Sequence, residues 1–571
     1  MFFVFRLPSN EERSTKNEPY NVGVKRFLGL FLLVVACTNE RPLPPVAASE
    51  DQNKPQEGGT VVRRLEGDVA TLNPVMAQSE FDRKVDFYLF TPMLHFDADL
   101  QAIPGLADKW SISADGKQYT FLLNPAATFS DGTAVRASDV LFTLKKIVDP
   151  ATEAPQVAGG FENFDLKNTH IVDEHTIVIA FREALAPQLT HFNDLLVIPE
   201  HVYSRGDFKT DFTSRPVGSG PYRLVRRVPG KEILLERRPE YWGPRPNLQR
   251  VLFKVINDDS TAWAAMKRGD IDETIIPTDT WVAESHRPEL QKFIDFRRFY
   301  TLNYNYIPWN TRDAVLSDKR LRRALAMCID LKSIIENLYH GTARAMNGPF
   351  TPDQWAYNPE VPVIEYNPQE ALRILHSLGW LDTDRDGVLD KNGKPLRIEM
   401  LVFAGGVAST QFAPLFQAEL KKIGVQLDIV PLEPSTFISR VLAGNYQCAY
   451  MNWRLDPDPD PFNLFHSSQF PPRGQNFVFY ANPEADRLME EGRHELDQSK
   501  RKLIYRQLHA LLADDQPYTW TIEVSVKWAI NKRLRDVKES KGWGLFNWFP
   551  GELGWWIPRD QRTHDVTLGR R

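Results

Sequence analysis

The chain has 571 residues, 42% hydrophobic and 25% charged, a balance that suits a well-cored fold at a length beyond one compact core; at least two lobes are expected. The formal net charge of -5 implies no strongly basic face, which argues against nucleic acid as a partner. Three cysteines, Cys37, Cys328 and Cys448, show neither a CxxC pair nor metal-ligand spacing, which argues against a zinc site and favours free thiols over a Cys328–Cys448 disulfide.

At the N-terminus, Lys25 and Arg26 lead into the apolar run Phe27 to Ala36, which ends at Cys37. This is a signal-type segment, too short for the roughly 20 residues that a membrane-spanning helix needs. Val34-Val35-Ala36-Cys37 resembles a bacterial lipobox, which implies that Cys37 is diacylated and becomes the mature N-terminus. Residues 1–21 are polar and sit upstream of the charged pair, which points to a start nearer Val22 or Val24. The polar, proline-rich stretch 38–57 is expected as a tether.

Along the body, Gly58 to Val62 opens a strand, and Tyr119 to Leu123 forms another before a turn at Ser130-Asp131-Gly132. A helix is predicted over Asp139 to Val148, capped by Ser138, with Val140, Leu141, Leu144 and Ile147 buried. Thr176 to Phe181 is a further strand. From about Phe299 the pattern changes. Helices are predicted over Leu321 to Ile329 and Ile334 to Leu338, the first placing Cys328 on its apolar face as a buried free thiol. A strand at Ile398 to Phe403, a helix carrying Phe412, Leu415, Phe416, Leu420 and Ile423, a stop at Gly424 and a strand at Val425 to Ile429 make a βαβ unit with parallel pairing. Cys448 lies in a strand-like stretch, again as a buried thiol; a helical stretch covers Glu484 to Leu512, and Tyr518 to Val526 returns to strand character. The result is α/β material in two lobes, with the end of the chain rejoining the first.

Several stretches resemble the family 5 extracellular solute-binding proteins, the oligopeptide, dipeptide and nickel-binding subunits of ABC importers. The resemblance is carried by Gly105 to Trp110, Asp115 to Leu123, Phe129 to Thr133 and Ala137 to Val140 in order. It continues through Pro216 to Tyr222, Arg237 to Trp242, Gly269 to Asp272, Asp318 to Leu325, Ile329-Asp330 and Gly379-Trp380. It implies a two-lobed, periplasmic-binding-protein-like clamp (type II, with an extra subdomain in lobe one). Lobe one spans 58–296, lobe two 297–515, 516–560 return to lobe one, and 561–571 form a tail. It further implies a monomeric lipoprotein outside the cytoplasm, in a periplasm or on a cell surface, that captures peptides and hands them to an ABC permease. No cofactor, resident metal or catalytic residue is implied.

By the same resemblance, Met451 to Arg454 is the ligand strand, with Asn452, Trp453 and Arg454 beside the ligand, and Asp456, three residues after the tryptophan, meets its α-ammonium. The following Asp-Pro repeat is one residue longer than the family pattern, so Asp458 or Asp460 is an alternative to Asp456, and a ligand without an amine stays open. On the facing lobe the segment after Leu72-Asn73-Pro74 points to Gln78 and Ser79, while Tyr304 and Asn305 near the hinge are expected to pack. Asp382, Asp384 and Asp386 have the start of a calcium-loop spacing, but position twelve is Gly393 instead of glutamate, which favours a structural turn. None of the 12 histidines forms a close ligand pair, His466 being nearest the site, and there is no GxSxG, P-loop or GxGxxG. Competing expectations are an importer subunit for a nickel complex, sugar, opine or cell-wall fragment, a sensory surface lipoprotein, and, weakest, a hydrolase.

Overall fold

The computed structural model describes residues 54–564, apart from 78, 153, 155, 156 and 213. Cys37, the signal segment and Gln78 therefore lie outside the described residues. Among those described, no helix is long and apolar enough to cross a membrane.

The elements that frame the site are, in order, β1 (Thr60–Leu65), α1 (Glu80–Leu89), α2 (Ala137–Val148), β2 (Ile294–Phe299), β3 (Asn303–Pro308), α3 (Lys319–Ala326), β4 (Arg397–Phe403), α4 (Ala413–Lys422), β5 (Gln426–Leu432), β6 (Met451–Arg454), α5 (Pro483–His494), α6 (Gln498–Asp515), β7 (Tyr518–Trp520), β8 (Ile522–Val524) and β9 (Val526–Asn531). β1 lies in a seven-stranded sheet, parallel to Arg250–Val255 on one side and to Glu273–Ile275 on the other. Every residue of β1 is buried, so its two arginines need partners in place of water. Arg63 donates to Glu273 (3.0 Å) and to the Tyr88 hydroxyl (2.7 Å), and Arg64 pairs with Asp259 (2.9 Å). A separate four-stranded antiparallel sheet carries Gln118–Leu123 and Thr176–Ala180.

The second half holds the expected βαβ unit. β4 and β5 run parallel from Arg397 opposite Gln426 to Phe403 opposite Leu432, with α4 between them and Gly424 in the left-handed region at φ +74°. Its core, which includes buried Cys328 and Cys448, is built from residues between Tyr304 and Ile522. The core of the first half draws on Val61 to Ile294 and on Trp528 to Ile557. Two separate cores make two lobes. Burial raises both thiols, Cys328 to about 12, which leaves them protonated and inert.

Four sequence expectations change. α2 begins at Ala137 and not after Ser138; the Asp139 carboxylate accepts the Arg136 N–H (2.9 Å) and closes the helix start from inside. Leu141 is only partly buried. The helical stretch Glu484 to Leu512 is two helices, because the Asp497 side chain accepts the Ser499 N–H (2.8 Å) and starts α6 anew. Tyr518 to Val526 is not one strand. β7 pairs with β3, β8 with Ala343–Ala345, and β9 enters the large sheet between β2 and Glu273–Ile275. The chain thus crosses between lobes at β2–β3 and again at β8–β9, a pair of short links of the kind that act as hinges.

Candidate ligand cleft

β6 is an edge strand of the three-stranded sheet β6–β3–β7. Its residues alternate. Met451 and Trp453 are buried and Leu455 packs against the same core, whereas Asn452 and Arg454 are half-buried on the opposite face and Asp456 is exposed. Trp453 is fully buried and stacked on Tyr306 with ring centroids 6.0 Å apart, and its indole N–H points to the Tyr518 hydroxyl (3.4 Å). The ring therefore belongs to the core and not beside a ligand, where the sequence reading put it. Tyr304 is fully buried as expected, and Asn305 sits opposite Asn452.

The register decides which backbone groups are available. The Leu455 N–H donates to the Leu302 carbonyl (2.7 Å), and Trp453 lies opposite Tyr304. In an antiparallel ladder hydrogen-bonded and non-hydrogen-bonded pairs alternate, so Met451, Trp453 and Leu455 spend their backbone groups on β3. The N–H and C=O of Asn452 and of Arg454 then point off the open edge.

The following loop is pinned by two of its aspartates. Asp458 pairs with Arg501 of α6, and Asp460 pairs with Arg493 of α5 (3.1 Å). Arg501 stacks on Trp355 (4.6 Å) and Arg493 on Phe462 (4.0 Å). Burial raises the Asp458 pKa, and Arg501 opposes that shift. Asp458 is thereby committed to its own lobe, which removes it as an alternative ligand group. Gln354 Nε2 donates to the Asp456 backbone carbonyl (2.8 Å), leaving the Asp456 carboxylate exposed near Arg454. His466 is also an internal tie, bonded to the Ser468 hydroxyl (2.8 Å) and Glu490 (3.2 Å).

Across the gap stands the N-terminus of α1. Ser79 caps it: its hydroxyl accepts the Asp82 N–H (3.1 Å), and its own N–H donates to Asp82 (3.0 Å). The Ser79 hydroxyl is thus engaged in the cap. The next residue, Glu80, reaches over and ion-pairs with Arg454. Sequence reasoning missed Glu80; Ser79 with an acid three residues on was the local signal for the helix start. Farther along the gap, His494 approaches Glu183 (3.8 Å), and a Cβ on Gly116 would meet Leu496 at 2.9 Å. The two lobes are closed on one another.

At the hinge, Glu523 of β8 is fully buried and accepts from Arg344 (2.8 Å), which also pairs with Asp353 and stacks on Tyr300 (3.9 Å). Burial pushes Glu523 up to about 7 against the pull of Arg344. Far from the cleft, Asp382, Asp384 and Asp386 place exposed oxygens within 4.8 Å of one another. Asp382 and neighbouring Asp390 bind the turn's own N–H groups, at Gly387 (3.2 Å) and Thr383 (2.8 Å).

Two α/β lobes on a double-stranded hinge, shut over a strand edge, define a solute-binding clamp. The chain belongs to the bacterial extracellular solute-binding proteins, family 5, whose model matches residues 101–476. It is 27% identical over 543 residues to the oligopeptide-binding protein AppA of Bacillus subtilis, covering 93% of this chain and 97% of that protein. The solved structure of AppA with a nonapeptide has a TM-score of 0.74 at 26% identity, covering 89% of this chain and all of that one. The nickel-binding periplasmic protein of Escherichia coli is 26% identical over 462 residues, 78% of this chain and 84% of its own length. Members of this family are extracytoplasmic binding proteins, not enzymes.

Proposed function

We propose that the chain is the substrate-binding subunit of an ABC importer that captures peptides between its lobes and delivers them to a membrane permease. The observation that carries this reading is the open edge of β6, where the backbone groups of Asn452 and Arg454 face the cleft. Main-chain pairing is blind to side chains, so such an edge holds peptides of many sequences by adding them as a strand. Asp456, exposed at the end of the same row, takes the ligand's α-ammonium in a charge-assisted bond of about 1.5–3 kcal/mol. Gln78 and Ser79 contribute from the facing lobe, through backbone or side chain. The two lobes, joined where the chain crosses at β2–β3 and at β8–β9, move as the two jaws. A diacylated Cys37 holds the monomer at the membrane, since each buried CH₂ adds about 0.8 kcal/mol.

Native mass spectrometry of the protein purified from its membrane fraction tests the reading. Co-purified peptide and a diacyl mass on Cys37 are expected; a protein that carries no ligand and takes up none from a peptide mixture would contradict it.

A further inference from the structure

The arginines around the cleft differ in where their counter-charge comes from. Arg344 is held by Glu523 and Asp353, Arg493 by Asp460 and Arg501 by Asp458, all acids of the second lobe. Arg454 finds its ion pair on the other lobe, in Glu80, and its other charged neighbour is Asp456, two residues along its own chain. Opening the clamp would strip Arg454 of Glu80 while leaving the pairs of the other three arginines whole. Glu80, for its part, is a first-turn acid of α1 but not the residue that caps it. The cap of α1 is completed by Ser79 and Asp82, and the Glu80 side chain is 43% exposed.

We infer that Arg454 reads a carboxylate on the ligand, and that the Glu80 side chain stands in the place this carboxylate takes. This rests on the reading of β6 as a peptide-pairing edge and names the class of peptide. Asp456 and Arg454 occupy the same face two residues apart, about 6.6 Å at the usual strand rise. An extended dipeptide spans a similar length from ammonium to carboxylate. Laid antiparallel to β6, its N-terminus lies at Asp456 and its C-terminal residue opposite Arg454. There the backbone N–H and C=O of Arg454 supply both bonds of one ladder pair while the guanidinium takes the carboxylate. The cleft is thereby tuned to short zwitterionic peptides.

The test is calorimetry of the full mature chain with Ala-Ala, Ala-Ala-amide and penta-alanine. Ala-Ala is expected to bind tightest. Arg454→Gln should weaken Ala-Ala by about 10- to 100-fold, the range of a charge-assisted bond, and Ala-Ala-amide by less than about threefold. Arg454→Lys should recover part of the loss, and thermal melts should confirm that each variant is folded. Glu80→Gln decides between a stand-in and a simple latch: removing a competitor tightens Ala-Ala, whereas removing a latch weakens every ligand alike. Equal losses for free and amidated dipeptide on Arg454→Gln, or weaker Ala-Ala binding by Glu80→Gln, overturn the inference and leave the peptide reading standing. If none of the three peptides binds wild type, the peptide reading itself falls.

Discussion

Asp456, Asp458 and Asp460 share one Asp-Pro repeat, yet the fold puts them to different uses. Asp458 and Asp460 face α6 and α5, where Arg501 and Arg493 meet them and aromatic rings cover the guanidinium groups. Asp456 stands at the cleft end of the row Asn452, Arg454, Asp456 and stays exposed. The difference teaches that a carboxylate becomes a girder or a ligand group according to whether its own lobe supplies the counter-charge. A buried pair is costly to break from one side, because the surviving charge is stranded; an exposed carboxylate is cheap to lose for stability and costly only for binding.

The strongest way to break that comparison is to attack its anchors. Trp453→Ala removes a fully buried ring stacked on Tyr306, and a loss of about 3–5 kcal/mol is expected in denaturant unfolding. Had the ring lined a ligand surface instead, stability would barely change and binding alone would suffer. Arg501→Ala strands Asp458 in a site where its ion pair is nearly buried, with an expected cost of about 3 kcal/mol. The double variant with Asp458→Asn should recover part of it, measured as a double-mutant cycle.

Smaller effects sharpen the hinge side of the same contrast. Glu523 titrates near 7 in the folded protein against an ordinary value of 4.5, so between those values the folded state holds the proton more tightly than the unfolded one. This group therefore adds stability at low pH that is lost as pH rises from about 4.5 through 7. Glu523→Gln should flatten that part of the stability profile by on the order of 1–3 kcal/mol, read from unfolding at pH 5 and pH 8. Asp456→Asn is the mildest for folding, with less than about 0.5 kcal/mol expected for a surface change. It should still weaken free-amine peptides by about tenfold while sparing N-acetylated ones, which calorimetry resolves.

Local chemistry made much of the scaffold legible in the sequence. The βαβ unit followed from a helical stripe, a glycine stop and two apolar runs, and both thiols fell on apolar faces. The inward turn of Trp453 was also readable, since Met451, Trp453 and Leu455 alternate with Asn452, Arg454 and Asp456. Family likeness drew attention away from that period of two. Glu80 against Arg454 and Asp458 against Arg501 could not be read, because each joins residues far apart in the chain: the first pair meets across the closed lobes, the second inside the folded second lobe. The break at Asp497 was missed because the apolar pattern continues on both sides of it.

The central claim is that a peptide adds as a strand along the open edge of β6, and amide hydrogen exchange at three adjacent residues tests it most directly. With saturating penta-alanine, long enough to run past Arg454, the Asn452 and Arg454 amides should become protected while the Trp453 amide, already bonded to β3, keeps its slow rate. If Asn452 and Arg454 exchange equally fast with and without bound peptide, the ligand does not pair with this strand and the account is wrong.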